Sequence, residues 1–281
     1  MLSIEIIKRS FFATINNFDT IYKISAFWVP LMVIAGLPLI TAGSTNDVYT
    51  GAAMPWIMSQ SWPIWLPLGA LMIFVTIVGA AIVAIAWHRF LVLGEVPKKV
   101  IVWPEGWPVQ RYFWTGVVLF IVPMILAILV STWAVVSSAE NGAIPTQPQT
   151  GFDVFWPTFA GNFVIYLVFL FWGLKLPAIA LEKPTHHKPL SSFKFRDSFH
   201  YTRQHFVQIL ILALAFSFIL TLINSLQAVI FGASLITDLK TALGAILSTL
   251  LSYLLMFFTV GLLSELYKAL VQEKQMQEVQ A

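Results

Sequence analysis

Residues 204–237 read QHFVQILILALAFSFILTLINSLQAVIFGASLIT, 34 positions between Arg203 and Asp238 without one Asp, Glu, Lys or Arg. A bilayer core takes about 20 consecutive apolar residues in a helix. Five more charge-free windows of that size lie between Lys23 and Asp47, Asp47 and Arg89, Arg111 and Glu140, Asp153 and Lys175, and Lys240 and Glu265. The second is long enough for two spans, but Gly51–Pro63 is polar and carries Pro55 and Pro63, so one span is expected there. The apolar runs are continuous rather than alternating with period two, which excludes a transmembrane barrel. The expectation is an all-α integral membrane protein, a single domain over 1–281, with spans at 25–41, 64–93, 112–137, 155–181, 207–231 and 240–270.

Composition agrees. Charged residues make up 10% of the 281 and apolar residues 58%, where a soluble domain carries about 25% charged residues. The mean hydropathy is +0.82. Too little polar surface is available to cover a soluble globule, which argues against a soluble enzyme, a nucleic-acid binder and a disordered chain. With no cysteine, disulfides, thiolate metal sites and cysteine nucleophiles are excluded. Amphipathic residues precede the first apolar run, unlike the short basic region of a secretory signal, so no cleavage is expected.

Orientation follows from the cations. With both termini cytoplasmic, fifteen of the sixteen Lys and Arg fall inside and Lys240 alone falls outside, a strong positive-inside asymmetry. The expected setting is a bacterial inner membrane. The basic balance (pI near 9.1) then implies anionic lipid at the cytoplasmic face as partner, not nucleic acid. Trp56, Trp62, Trp65 and Trp156 fall near one interface, and Trp87, Trp103, Trp107 and Trp114 near the other, as aromatic belts do.

Two segments outside the spans are amphipathic. Residues 3–23 place Ile4, Ile7, Phe11, Ile15, Phe18 and Tyr22 three or four apart. Residues 192–206 lead with Phe195, Phe199, Thr202 and Phe206 against Lys194, Arg196, Asp197, His200 and Arg203. Both are expected as interfacial helices that orient the following span. Ser10-Phe11-x-x-Thr14-x-x-Asn17-Phe18 also aligns with Ser198-Phe199-x-x-Thr202-x-x-His205-Phe206. A parallel internal repeat and mere shared composition both account for that match.

An Arg-x-x-Phe opening, Trp87-His88-Arg89-Phe90-Leu91-Val92-Leu93-Gly94-Glu95, Leu174-Lys175-Leu176-Pro177-Ala178-Ile179-Ala180-Leu181, Phe195-Arg196-Asp197-Ser198-Phe199 and a Tyr267-x-x-Leu270 end occur in this order. In that set the chain resembles a group of bacterial six-span inner-membrane proteins without assigned function. It is similar, too, to the membrane domain attached to some glycerophosphodiester phosphodiesterases. In the fused proteins a separate soluble barrel carries catalysis. The resemblance therefore implies a membrane domain and no catalytic residue.

Chemistry-bearing residues are few. His186-His187 follow Pro184 and find no third ligand in the sequence, so no metal is expected. No G-x-S-x-G, H-E-x-x-H or Walker pattern occurs. No span holds two carboxylates for a proton relay. No catalytic residue and no cofactor are expected. Asn224 and Gln227 share a face, where helix–helix contact and a polar path are both open. The candidate site is an inner-leaflet polar cluster of His88, Arg89, Lys175, Glu265 and Lys268. Glu265 calls for a counter-charge, either Lys268 three residues on or, across helices, Arg89 or Lys175. The expected function is a non-enzymatic membrane protein acting through protein partners or lipids. The alternative is a transporter or lipid-moving protein for an anionic lipid or small molecule.

Overall fold

The computed structural model describes residues 2–31, 62–97, 108–140, 152–182, 193–231 and 239–272. Among them every regular element is helical: α1 Leu2–Asn16, α2 Phe18–Ser25, α3 Trp62–Leu93, α4 Val109–Glu140, α5 Phe152–Trp172, α6 Lys175–Ala180, α7 Phe195–Arg203, α8 Phe206–Phe231 and α9 Leu239–Tyr267, with a π-helical turn over Lys268–Gln272. Three stretches among the described residues, Phe74–Leu93, Phe206–Leu226 and Leu250–Gln272, are long and apolar enough to cross a membrane. Val109–Ile125 and Thr158–Trp172 are shorter apolar helices. Most of the expected first span lies outside the described residues, as do His186 and His187.

Five helices close on themselves. α3 packs on α4, α4 on α5, α5 on α8, α8 on α9, and α9 returns to α3. Trp87 holds the last of these seams. Its ring is fully buried, its Nε1 donates to Phe257 O at 2.9 Å, and it stands edge-on to the Phe257 ring at 5.4 Å. A buried indole needs such an acceptor. Outside the ring, α1 lies on α9 and α8, α2 on α3, and α7 on α5.

The expected continuous span over 155–181 is broken. α5 ends at Trp172 and α6 begins at Lys175. Pro177 has no N–H to offer the carbonyl of Gly173, and that carbonyl accepts from Leu176 N instead, at 2.9 Å. Gly173 also suits the turn by its size. A Cβ there would meet Leu263 Cδ2 at 3.0 Å and come closer still to Phe169 O. The chain turns, and α6 enters one end of the ring against α3, α4 and α9, with Leu176 through Ala180 all buried.

The segment 3–23 is two helices, not one. Asn17 leaves the helical region at φ −119° and ψ 36°. The face of α1 that touches protein is not its aromatic face. Ser3, Ile6, Ser10 and Thr14 are buried, whereas Ile4, Phe11, Ile15 and Phe18 point outward. Ser10 Oγ donates to Phe258 O of α9 (2.9 Å) and Ser3 Oγ to Gln208 O of α8 (2.9 Å). Gly261 makes room for this contact, since a Cβ there would sit 2.9 Å from Ser10 Oγ. The segment 192–206 behaves alike. Ser198 Oγ donates to Phe171 O of α5 at 3.0 Å, and Thr202 Oγ1 lies 3.1 Å from the same carbonyl and 2.9 Å from Ser198 O on its own helix, while Phe199 and Phe206 remain exposed. α7 then breaks at Gln204–His205, as α1 breaks at Asn17, and each following helix opens with the same bond: Ile21 N to Asn17 O and Ile209 N to His205 O, both 2.9 Å.

Candidate functional site

The polar cluster sits where α6 meets the ends of α3 and α9. His88 is fully buried, with Ser264 Oγ 2.7 Å from Nδ1 and Tyr112 Oη 3.0 Å from Nε2. Ser264 Oγ also donates to Val260 O at 3.0 Å. One arrangement satisfies every proton. Tyr112 donates to Nε2, Nδ1–H donates to Ser264, and Ser264 donates to its own helix. His88 thereby ties α3 to α4 on one side and to α9 on the other.

Arg89 turns toward α6. Its Nη1 donates to Ala180 O at 3.0 Å and to Glu182 O at 3.4 Å. Those carbonyls end a short helix, where acceptors lack intrahelical donors and a cation is favoured. Its Nε and Nη2 grip both carboxylate oxygens of Glu95, at 2.7 and 3.0 Å. Glu95 can reach back because Gly94 adopts φ +70° after the end of α3, its N–H donating to Phe90 O at 2.9 Å. That left-handed position suits glycine. Arg111 Nη1 donates to Glu182 Oε2 at 2.7 Å and fixes the end of α6 to α4.

Lys175 and Lys268 meet different partners. Lys175 Nζ lies 3.9 Å from the centre of the Phe195 ring and links α6 to α7, a cation–π contact. Glu265 Oε1 takes Lys268 Nζ at 2.7 Å. Of the two kinds of counter-charge open to Glu265, the structure pairs it with Lys268 on its own helix and not with Arg89 or Lys175 across helices. Residues three apart already share a helix face, and Arg89 is directed to Glu95 and the end of α6. The five residues thus share one end of the bundle through separate contacts: His88 with Ser264 and Tyr112, Arg89 with Glu95 and α6, Lys175 with Phe195, and Glu265 with Lys268. No group of three or more His, Asp or Glu that could hold a metal occurs among the described residues.

Above this end lies a cavity of about 690 Å³ lined by all five ring helices. Tyr112, Leu176, Ala84 and Val260 line it toward the charged end, and each is buried or nearly so. Ile77, Phe120, Asn224 and Ser252 line it farther from that end and are exposed. The lining residues are thus buried beside α6 and exposed away from it. Asn162 Nδ2 donates to Thr221 Oγ1 at 2.9 Å in its wall.

Sequence reasoning named His88 and Arg89 but not their partners Tyr112, Ser264 and Glu182. Tyr112 and Ser264 are polar residues beside apolar runs and Glu182 opens a polar loop, with no spacing that announces a contact across helices. Asn224 lines the cavity, and the side chain of Gln227 lies outside the described residues. The chain matches no protein-family model, no curated protein and no solved structure.

Proposed function

We propose that this chain is a non-enzymatic, multi-pass protein of a bacterial inner membrane that works through lipid, holding an amphiphile in the central cavity. In this reading six spans cross the bilayer and both termini face the cytoplasm. α1–α2 and α7 lie at the inner leaflet beside anionic lipid, with their outward phenylalanines in the acyl region. The two Ser-x-x-x-Thr pairs, in each of which the serine donates to a carbonyl of a neighbouring helix and the threonine to the serine's own carbonyl, favour a parallel internal repeat over shared composition. The likeness to six-span inner-membrane proteins and to phosphodiesterase-linked membrane domains belongs to the same proposal.

The observation that carries it is the ring of five helices around a cavity of about 690 Å³, within the roughly 300–1,000 Å³ of small-molecule sites, its lining buried at the charged end. Ser264 and His88 lie within hydrogen-bonding distance, but both are buried and the serine hydroxyl is directed to Val260 O. A nucleophile needs an open site about 3 Å away for a reacting atom, which supports the non-enzymatic reading. Transport across the membrane would need a second opening through α6.

The test is purification in mild detergent followed by native mass spectrometry and lipid extraction. A lipid retained in stoichiometric amount is the expected result. A stoichiometric protein partner with no retained lipid would replace this reading with a scaffolding one.

A further inference from the structure

Three ion pairs stand at the charged end, and one is built unlike the others. In Arg111–Glu182 and Lys268–Glu265 the acid is the more buried member, its side chain 12% and 9% exposed. Glu265 is also fixed on α9, and Glu182 lies two residues past α6, where Arg89 holds its carbonyl. In Arg89–Glu95 the burial is reversed: Arg89 is 8% exposed and Glu95 49%. Glu95 lies past the end of α3, between Gly94 and Val96, both of them exposed. Its carboxylate can therefore withdraw without unpacking a helix. Arg89 is anchored, since its Nη1 donates to Ala180 O and Glu182 O.

What Glu95 occupies is a two-oxygen site. Nε and Nη2 of Arg89 each donate to one carboxylate oxygen, at 2.7 and 3.0 Å. A guanidinium fork takes a carboxylate and a phosphate group in the same bidentate way. A phosphodiester matches the carboxylate further, with a single negative charge shared by two terminal oxygens. Exchange of one for the other leaves the charge beside Arg89 unchanged and lets Glu95 hydrate. The surroundings favour an anion. Four cations, Arg89, Arg111, Lys175 and Lys268, take part in the contacts of this end, against three acids, Glu95, Glu182 and Glu265. A pair with one half-exposed member is also weak, so a competing anion can displace it.

Gly94 is the hinge. Glu95 reaches Arg89 with Gly94 at φ +70°, and a Cβ on Gly94 would meet nothing within 4 Å. Alanine there disfavours the closed pose through the backbone alone and leaves every charge in place.

Resting on the reading of this end as facing the inner leaflet, we propose that Arg89 is a binding site for the phosphodiester of an anionic phospholipid. Glu95 is its built-in competitor, filling the site until a headgroup displaces it.

The full-length protein in detergent is titrated with three probes. Dioctanoyl phosphatidylglycerol carries chains and phosphodiester, dioctanoylglycerol lacks the phosphodiester, and dimethyl phosphate lacks the chains. Calorimetry gives affinities and native mass spectrometry counts bound molecules. Phosphatidylglycerol should bind saturably and more tightly than the other two. Glu95→Gln should tighten it about fivefold, the equilibrium weight of a partly exposed ion pair. Gly94→Ala, with the charge intact, should tighten it about fivefold or more. Arg89→Lys, which keeps the charge without the fork, should weaken it about tenfold in all three backgrounds. Should Arg89→Lys fail to fold, the Glu95 and Gly94 variants decide alone. Tightening by Glu95→Gln without tightening by Gly94→Ala is a bulk charge effect and overturns the competitor. Dimethyl phosphate binding as tightly as the lipid, with the same response to the variants, overturns the lipid as the source of the phosphodiester. Phosphatidylglycerol and dioctanoylglycerol bound equally, and indifferent to the variants, overturn Arg89 as the site and leave the lipid-holding cavity intact. Failure of both lipids to bind the wild-type protein and Glu95→Gln alike overturns the lipid-holding reading itself.

Discussion

Gly261→Ala isolates the contact that holds α1 to the bundle. The added Cβ would fall 2.9 Å from Ser10 Oγ, 3.5 Å from Trp87 Nε1 and 3.6 Å from Leu91 Cδ1. Only the first is too close, and that oxygen is fixed by its bond to Phe258 O. Either the hydroxyl turns away and the bond is lost, at about 0.5–1.5 kcal/mol, or α1 shifts, at about 1–3 kcal/mol for an overpacked contact. Ser10→Ala alone costs the bond, about 1 kcal/mol. In the double variant the offending oxygen is gone and the remaining neighbours are at ordinary van der Waals distance. Alanine also restores up to about 1 kcal/mol of helix preference over glycine. Gly261→Ala should therefore destabilise the wild-type protein and be neutral or stabilising when Ser10 is alanine, a coupling of at least about 1 kcal/mol. Reversible unfolding in mixed detergent measures all four corners of the cycle. Equal destabilisation by Gly261→Ala in both backgrounds would refute the Ser10 contact as the reason for a glycine there.

Three further outcomes are expected. Arg89→Gln should lower stability by about 1.5–3 kcal/mol, the range for hydrogen bonds to a charged group, whereas Glu95→Gln, whose carboxylate is half exposed, should cost less than about 1 kcal/mol; thermal unfolding in detergent ranks the two, and the reverse ranking would contradict the role given to the bonds with α6. Glu265→Gln and Lys268→Gln should be less than additive together, while Glu265→Gln combined with Lys175→Gln should be additive in the same assay. Single cysteines at Ser44, Asn141 and Thr237 should react with an impermeant thiol reagent in cells with a permeabilised outer membrane, and those at Ser3, Lys98 and Ser192 should not; labelling of the second set would overturn the orientation.

Much of the helical layout is legible in the charge-free windows, because a long apolar helix needs only composition to declare itself. The stretch 64–93 is expected as a span and α3 runs Trp62–Leu93; 207–231 is expected and α8 runs Phe206–Phe231. The break at Gly173 is missed because Pro177 and Gly173 interrupt the helix without interrupting the apolar run, and hydropathy does not register a lost N–H. The amphipathic segments are visible, but the face each turns to the protein is not. Serine and threonine read as neutral in a hydropathy pattern, while here Ser10 and Ser198 hook carbonyls of other helices. In the candidate site, His88 and Arg89 stand out as polar residues in an apolar helix. Their partners depend on which helices adjoin, and Glu95 meets Arg89 only because Gly94 can take a positive φ. The cavity has no sequence signature, since its walls are the same residues that elsewhere fill a core.

The bond between Ser10 and Phe258 joins residues 248 apart. At synthesis rates of 5–20 residues per second, α1 emerges about 12–50 s before the carbonyl it will hold has been made. Until α8 brings Gln208 O to Ser3 and α9 brings Phe258 O to Ser10, its hydroxyl row has no docking partner and its aromatic row must find a surface of its own. The nascent chain therefore has an early task, keeping its first helix soluble or bound to lipid, and a late one, in which arrival of α9 completes the seam. A chain stopped before α9 would leave that helix waiting, exposed to proteases that a finished molecule resists.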